Sequence, residues 1–501
     1  MDMDYIVNKL GMLPPSVVRV IEKYINKIPS VRKEIDRQTD EIMKGIAEGL
    51  RPYREDFSTF TEIPAEGKSR EEVLKEMEGM ASQEQGKWKE GLVSGTVYHG
   101  DEEHIAFLNK VYAMNSQTNP LHSDVFPSIS KFEAEIISMT ANMLGAKKAN
   151  SEICGSVSSG GTESILLAMK TYRDQAKAEK GISNPEIVVP VTAHAAFNKA
   201  SEYFNIKLRA IPIDENYQVN LKKLKRAINS NTIAIVGSAP TFPHGVVDPI
   251  PELSEIALKY KVGLHVDACL GGFILPWIKK LDFDVPDFDF SLPGVTSMSA
   301  DTHKYGFAAK GTSVVLYRTL EMRRYQYFTI TDWPGGLYFS PTFAGSRPGA
   351  LSAACWATLI TMGEKGYMEI AKSIMVAADK IKKGIDEIPE LKILGKPYWN
   401  ISFACEEYDI YQIMDALTAK GWTLNGLHKP SCVHICLTKR HTQEGVAEKF
   451  VTDLKEAVEF VKANPNTEGG LAPVYGLAAT LPLRGTISQM LKKYMDTIYK
   501  V

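Results

Sequence analysis

The stretch Ser299–Lys310 reads SADTHKYGFAAK, and it begins within a short run, Val295–Ala300, that is typical of a β-strand. Four polar groups follow this run: a carboxylate, a hydroxyl, an imidazole and an amine at Asp301, Thr302, His303 and Lys304. A partly desolvated lysine amine can lose its proton and attack a carbonyl, so this strand end is a candidate site for a Schiff base. A histidine–lysine pair alone is more often a solvated turn, and its interpretation depends on the rest of the chain.

The size and composition of the chain indicate a multidomain globular protein. It has 501 residues, of which 44% are hydrophobic and 24% are charged, and this length predicts two or three domains. Lys and Arg number 58 against 60 Asp and Glu, which gives a net charge of -2 and argues against a nucleic-acid-binding protein. Six cysteines are too few for a disulfide scaffold and indicate a reducing compartment.

The sequence gives no sign of a membrane span or of a metal site. No apolar run reaches about 18 residues, and the start, MDMDYIVNKLG, has acids where a signal peptide has bases. We therefore expect a cytoplasmic protein. Cys432, His434 and Cys436 share one face of a predicted strand, Ser431–Leu437, and no fourth ligand is near, so a buried strand face is favoured over a metal site.

The chain divides into three predicted regions. Residues 1–65 form a helical N-terminal arm with helices at 16–28 and 31–49, residues 66–350 a large domain, and residues 351–501 a smaller C-terminal α+β domain. The arm is amphipathic with mixed charges, so packing on a partner subunit is favoured over binding to a membrane surface. A charged surface helix from Arg70 to Gly79, followed by a linker, begins the large domain.

Strands and helices alternate from about residue 150. The predicted strands are Ile187–Val191, Lys207–Ile213, Thr232–Gly237, Val262–Val266, Val295–Ala300 and Thr312–Tyr317, with helical segments between most of them. This order predicts an α/β fold in which a mainly parallel sheet lies between helices. Ligands bind such sheets at the carboxyl ends of the strands.

A phosphate-binding helix start is predicted at Ser158–Glu163, which reads SSGGTE. Gly160, Gly161 and Thr162 open a helix, so free backbone N–H groups and the positive end of the helix dipole face any anion bound there. A capping box made with Glu163 would give a similar string.

Two further residues suit an aldehyde cofactor that has a pyridine ring. Asp267 ends the strand in Leu264–Ala268, where a carboxylate could keep a pyridine nitrogen protonated and so make the ring an electron sink. The alternative is that Asp267 caps the next turn. His194 follows the strand Ile187–Val191 and could stack on the ring, although a lone histidine is more often a satisfied loop residue.

These strings resemble pyridoxal-phosphate enzymes of the aspartate-aminotransferase fold, in the group II decarboxylase group. Over residues 94–422 the sequence is most similar to the sphingosine-1-phosphate lyase family, through SGTVYHG, NPLH, SGGTESI, AHAAFNKA, FPHGVVDP, LHVDACLGGF, SADTHKYG, TDWPGG, AGSRPG, AACWA and TAKGW. The resemblance implies a type I pyridoxal 5'-phosphate transferase fold and a homodimer. Members from higher cells have a membrane-spanning helix before the catalytic region, and this chain is similar to those without one, with at most transient membrane contact.

The resemblance also implies roles for individual residues. Lys304 matches the Schiff-base lysine, Asp267 the pyridinium partner and His194 the stacking residue. The implied contacts to the cofactor phosphate are Gly160, Gly161, Thr162 and His303, with Thr302 and Ser346 also assigned to the cofactor. The implied substrate contacts are Tyr98, Asn119, His122, Lys310 and Ser346, and the loop that contains Ser346 and Arg347 is expected to reach the site of the partner subunit.

The implied activity is cleavage of the C2–C3 bond of a phosphorylated sphingoid base to a long-chain aldehyde and phosphoethanolamine. Lys310, His122, Tyr98 and Ser346 provide cationic groups and hydroxyl donors, which suit a phosphomonoester dianion. The base that removes the proton of the C3 hydroxyl is left open among Lys304, His122, Tyr98 and the substrate phosphate. The competing hypotheses are an amino-acid decarboxylase of the same fold and an inactive lipid-binding homologue.

Overall fold

The structure is a computed structural model that describes residues 55–465 and 484–500, with a few single positions before residue 55. The predicted helices at 16–28 and 31–49 lie outside the described residues except at single positions, so they stay predictions. None of the helices in the described ranges is long and apolar enough to cross a membrane.

The described residues form thirteen α-helices. They are α1 Arg70–Lys89, α2 Glu102–Asn115, α3 Pro127–Met143, α4 Gly161–Lys180, α5 Ala196–Phe204, α6 Leu221–Ala227, α7 Ile250–Tyr260, α8 Leu275–Lys280, α9 Leu320–Arg324, α10 Gly349–Asp386, α11 Ile410–Ala419, α12 Val446–Ala463 and α13 Arg484–Ile498. Short 3₁₀ turns occur at Ala146–Lys148 and Lys439–Thr442.

Thirteen strands are described as well. They are β1 Cys154–Ser158, β2 Glu186–Pro190, β3 Lys207–Ile211, β4 Thr232–Ser238, β5 Gly263–Asp267, β6 Ser297–Ala300, β7 Ser313–Tyr317, β8 Phe328–Ile330, β9 Tyr338–Ser340, β10 Leu391–Ile393, β11 Asn400–Cys405, β12 Asn425–Leu427 and β13 Cys432–Cys436.

The central sheet has seven strands in the order β1-β7-β6-β5-β4-β2-β3. The pairs from β3 to β6 are parallel, and β7 is the one strand of this sheet that runs the opposite way. Every residue of β1, β2, β4, β6 and β7 is buried, as in sheets covered by helices on both faces. The predicted α/β fold with a mainly parallel sheet is confirmed.

A smaller antiparallel sheet, β10-β11-β13-β12, packs with α11, which in turn packs with α12, and gives the C-terminal part an α+β character. Cys432, His434 and Cys436 lie on its fully buried strand β13, and His434 Nδ1 is 3.0 Å from the carbonyl oxygen of Pro243. The exact borders of the three predicted regions stay a prediction, since one continuous apolar core joins the large and small parts.

Two local predictions differ from the structure. Strand β1 was not predicted, because its sequence, CGSVS, lacks an apolar run. The predicted surface helix ending at Gly79 extends to Lys89, because Gly79 and Gly86 are accommodated within it, and Ser69 and Glu72 form a capping box at its start.

Candidate active site

A cavity of about 520 Å³ lies where β4, β5 and β6 end and α4 begins. Its lining combines most of the predicted cofactor residues with an aromatic and several small side chains: Ser159, Gly160, Gly161, Thr162, Glu163, Ile165, His194, Pro240, Phe242, Asp267, Cys269, Leu270, Asp301, His303 and Lys304. The cavity is therefore at the carboxyl ends of the parallel strands, where such sheets bind ligands.

The first turn of α4 faces this cavity without a side-chain cap. Its first N–H groups therefore have no partner within the helix and are available to an anion. A Cβ on Gly161 would lie 2.7 Å from Cys269 Sγ and 2.8 Å from the carboxylate oxygens of Asp301, so a side chain is excluded there. The capping-box alternative is not realised: Glu163 accepts the N–H of Ser159, at 2.7 Å, and that of Phe343, at 3.1 Å.

Asp267 is the last residue of β5 and is 7% exposed. Its Oδ1 accepts the N–H of Cys269 at 3.1 Å, and the hydroxyl of Ser299 lies 3.4 Å away. One oxygen therefore does cap the following turn, and this bond also fixes the orientation of a carboxylate that lines the cavity.

His194 lies on the rim of the cavity in a loop before α5. Its Nδ1 accepts the N–H of Ala196 at 3.2 Å, which fixes the ring. Phe242 lines the cavity as well, and the two ring centres are 6.3 Å apart.

Lys304 and Asp301 form an ion pair in the cavity, with 2.9 Å between Nζ and Oδ2. Burial alone would lower the pKa of Lys304, but the carboxylate of Asp301 opposes this effect and the net pKa of the lysine is raised. Burial alone would raise the pKa of Asp301, and the charge on Lys304 brings it below its ordinary value. In the cofactor-free protein both groups are therefore charged at neutral pH.

The two residues before Lys304 differ in their environment. His303 lines the cavity, and its Nδ1 lies 2.6 Å from the carbonyl oxygen of Thr312. Thr302 is fully buried, and its hydroxyl donates to Thr312 Oγ1 at 2.7 Å, away from the residues that line the cavity. A direct contact from the Thr302 hydroxyl to the cofactor stays a prediction.

Tyr98 and Lys310 lie together beside this cavity, with Lys310 Nζ 4.7 Å from the centre of the Tyr98 ring. Burial raises the pKa of Tyr98 well above its ordinary value, although the charge on nearby Lys304 opposes the shift. Loss of water around the Lys310 amine and the charge on Lys304 lower the pKa of Lys310 to about 8. Much of Lys310 is nevertheless exposed, so a ligand can reach it.

Asn119, His122 and Ser346 form a separate surface set. Asn119 Nδ2 donates to Ser346 Oγ at 3.1 Å, and Asn119 Oδ1 accepts the N–H of Arg347 at 3.1 Å. His122 and Ser346 are exposed. None of the three is among the described residues that line the Lys304 cavity.

A second cavity, of about 550 Å³, adjoins the surface set. It is lined mainly by apolar side chains of α3, β1 and the segment after α9, including Leu121, Ile137, Val157, Phe328 and Phe339. The lining residues of the two cavities do not overlap.

The Lys304 cavity suits a phosphorylated pyridine aldehyde. A free helix start for a phosphate, an oriented carboxylate for a ring nitrogen and an amine for an aldehyde all border one space. Asp301 Oδ1 is buried without a hydrogen-bond partner among the described residues, which is unusual outside functional sites.

Sequence reasoning missed the contributions of Asp301, Cys269 and Phe242 to the cavity. A carboxylate three positions before Lys304 was a signal for Asp301, because a turn brings such residues together. Phe242 comes from a loop that is distant in sequence, and no local pattern connects it to His194.

Comparison with known proteins identifies the class of enzyme first. A family model for the pyridoxal-dependent decarboxylase conserved domain matches residues 58–404. The structure also resembles that of a Lactobacillus brevis glutamate decarboxylase, with a TM-score of 0.70 and 20% identity over 85% of this chain and 99% of that one. The chain therefore has the fold of this family of pyridoxal-dependent enzymes.

Closer relatives identify the family within that class. A sphingosine-1-phosphate lyase of Arabidopsis thaliana is 44% identical, covering 99% of this chain and 91% of the relative. The structure of the Burkholderia pseudomallei sphingosine-1-phosphate lyase aligns with a TM-score of 0.82 and 43% identity, covering 88% of this chain and 98% of that one. The chain belongs to the sphingosine-1-phosphate lyase family.

Proposed function

We propose that this chain is a pyridoxal-phosphate-dependent aldehyde-lyase of the sphinganine-1-phosphate aldolase type. It cleaves the C2–C3 bond of sphingosine-1-phosphate and related phosphorylated sphingoid bases to a long-chain aldehyde and phosphoethanolamine. The observation that carries the proposal is the joint placement of Lys304, Asp267 and the uncapped start of α4 around one cavity, in a chain of this family.

Four parts of the cavity are proposed to hold the cofactor. The N–H groups at Gly160, Gly161 and Thr162 bind its phosphate, with His303 beside them. His194 would face the ring, Asp267 would hold a proton on the ring nitrogen, and the Lys304 amine would hold the aldehyde group. When bound, pyridoxal phosphate supplies an aldehyde for the substrate amine and a ring that accepts the electron pair of the breaking bond.

The remaining residues are proposed to bind and orient the substrate. Lys310 attracts the phosphate dianion, and Tyr98 donates a hydrogen bond beside it, since its raised pKa keeps the phenol protonated at neutral pH. In the reaction the C3 hydroxyl loses its proton and becomes the aldehyde, and C2 gains a proton. The raised pKa of Tyr98 makes it a better donor than acceptor, and the base stays open among Lys304, His122, Tyr98 and the substrate phosphate.

We also propose a homodimer in which Asn119, His122 and Ser346 complete the site of the partner subunit. Large apolar side chains are exposed next to this surface set: Phe328, Trp333, Leu337, Phe339 and Phe343. Apolar patches of this kind usually mark interaction surfaces. Glu163 supports the arrangement, because it connects the start of α4 with the N–H of Phe343 in the loop before Ser346.

A cytoplasmic location is proposed as well. All six cysteines are free, which agrees with a reducing compartment.

A substrate panel distinguishes this function from a decarboxylase. Purified protein supplied with pyridoxal phosphate is incubated separately with sphingosine-1-phosphate, glutamate and aromatic amino acids, and long-chain aldehyde and carbon dioxide are measured. We expect aldehyde from sphingosine-1-phosphate and no carbon dioxide from the amino acids. Carbon dioxide without aldehyde would replace the lyase by a decarboxylase, and neither product from protein that binds no cofactor would indicate an inactive homologue.

A further inference from the structure

Asp301 is a carboxylate in the Lys304 cavity that the proposed reaction does not use. It is 2% exposed, and its Oδ2 lies 2.9 Å from Lys304 Nζ and 3.8 Å from His303 Nε2. Its Oδ1 is buried and has no hydrogen-bond partner among the described residues. A buried carboxylate is unfavourable without a cation, and the Lys304 ammonium makes the largest favourable contribution to its ionised form, ahead of His303 and the Ser313 hydroxyl.

The backbone around Asp301 fixes this carboxylate in place. Both of its oxygens lie 2.8 Å from the position that a Cβ on Gly161 would take, so the carboxylate packs directly against the first turn of α4. The positive end of the helix dipole favours a negative charge there. Asp301 is therefore held as an anion that faces the lysine.

We propose that Asp301 is the positioning residue of Lys304: its carboxylate holds the ε-ammonium in the cavity whenever the lysine is not joined to the cofactor, and thereby sets the pH above which this amine becomes a nucleophile. The proposal rests on the proposed role of Lys304. It adds a charged partner that acts before the cofactor binds and again each time the lysine is released.

Lys310 gives an internal comparison for this effect. Lys310 is the more exposed of the two lysines, yet partial burial and the charge on Lys304 lower its pKa to about 8. Lys304 differs from Lys310 because the carboxylate of Asp301 opposes the effect of burial on the amine. Asp301 is the largest of the opposing influences, and the pKa of Lys304 is raised as a result. The other titratable groups that face Lys304 are Tyr98 and Cys269, which add to the raising effect, together with Cys436, the Lys310 amine and His303, whose own pKa is lowered by burial.

The test measures lysine reactivity in the cofactor-free, full-length protein. The protein is treated briefly with an acetylating N-hydroxysuccinimide ester at a series of pH values, and acetylation of Lys304 and Lys310 is quantified by peptide mass spectrometry. In the unmodified protein we expect Lys310 to react at lower pH than Lys304. In Asp301→Asn, which has nearly the same shape, we expect Lys304 to react at least about tenfold faster at pH 8, since each unit of pKa is tenfold in unprotonated amine.

Asp267→Asn is the matched control, because Asp267 is a buried carboxylate of the same cavity whose hydrogen bonds go to Cys269 and Ser299. We expect it to leave the reactivity profile of Lys304 unchanged. Equal Lys304 profiles in Asp301→Asn and the unmodified protein would overturn the proposal.

The result does not depend on the folding of the variant. If Asp301→Asn fails to fold, overlapping profiles of Lys304 and Lys310 in the unmodified protein would still overturn the proposal, and separate profiles would support it. Because no lyase activity is measured, failure here leaves the proposed reaction standing. Absence of aldehyde in the substrate panel would in turn leave the Asp301–Lys304 pair intact.

Discussion

The Lys304 cavity and the surface set of Asn119, His122 and Ser346 differ in how much of a binding site one chain provides. The cavity brings a free helix start, an oriented carboxylate and a lysine together within one chain. The surface set is internally hydrogen-bonded but exposed, and it does not line that cavity. One chain therefore brings Lys304, Asp267 and the start of α4 together, whereas we propose that the substrate site needs a second subunit.

Mixed dimers would test this comparison with the largest expected effect. Lys304→Ala removes the lysine, and the double variant Asn119→Ala, His122→Ala removes two members of the surface set. Each is expected to be nearly inactive alone. After the two are unfolded together and refolded, heterodimers would have one site with both parts intact, so aldehyde release should return to about one quarter of the unmodified activity for random pairing.

The control is each variant taken alone through the same refolding. Activity that stays at the level of the separate variants, in samples shown to contain heterodimer, would mean that each chain supplies its own Asn119 and His122.

Removing the Lys310 amine tests whether the substrate phosphate binds beside the Lys304 cavity. Lys310→Ala should lower kcat/KM for sphingosine-1-phosphate by about 10- to 100-fold, the loss expected for a hydrogen bond to a charged group. The cofactor absorbance should be unchanged, because Lys310 is not among the cavity-lining residues described. Unchanged kinetics would remove Lys310 from the substrate site.

The pH dependence of kcat/KM is expected to be a smaller effect, and its direction follows from the loss of the Lys310 charge. The pKa of Lys310 is lowered to about 8, so the cation is present below that pH and is lost above it. Between pH 7 and 9, kcat/KM for the phosphorylated substrate should fall several-fold, since this parameter reports the free enzyme. Lys310→Arg keeps its charge over this range and should flatten the profile, and a fall of the same size in that variant would assign the titration to another group.

Two adjacent glycines test the packing at the start of α4. Gly161→Ala should destabilise the cofactor-free protein by about 1–3 kcal/mol, because the added Cβ would overlap Asp301 and Cys269. Gly160→Ala is the matched control: the nearest atom to its added Cβ is His303 Cε1 at 3.9 Å, so a change within about 0.5 kcal/mol is expected. Equal denaturant midpoints for the two variants would contradict the packing described here.

Much of the fold followed from sequence pattern. The buried strands β2 and β4 contain apolar runs, and the boundaries of these two strands and of β5 were predicted to within one or two residues. Strand β1 was missed because it is made of small residues. A Cβ on Gly155 would lie 2.3 Å from the carbonyl oxygen of Val315, so this strand depends on close approach to β7 and not on apolar side chains.

The residues of the site could be predicted where they follow strands in the sequence. They could not be predicted where a loop that is distant in sequence enters the site. Asp267 ends β5 and Lys304 lies in the turn after β6, and because these strands are neighbours in the sheet the structure brings both residues to one cavity. Phe242 reaches the cavity through tertiary packing, which no local sequence pattern encodes, whereas the spacing of Asp301 and Lys304 was a local signal. The separation of Ser346 from the cavity is likewise a tertiary feature, and its role in the partner site stays a prediction.

The most direct measurement is product formation from sphingosine-1-phosphate by the cofactor-loaded protein and by its Lys304→Ala variant. The account predicts long-chain aldehyde and phosphoethanolamine in equal amounts from the unmodified protein and neither from the variant. No aldehyde from unmodified protein that visibly contains its cofactor, or equal amounts from both proteins, would contradict it.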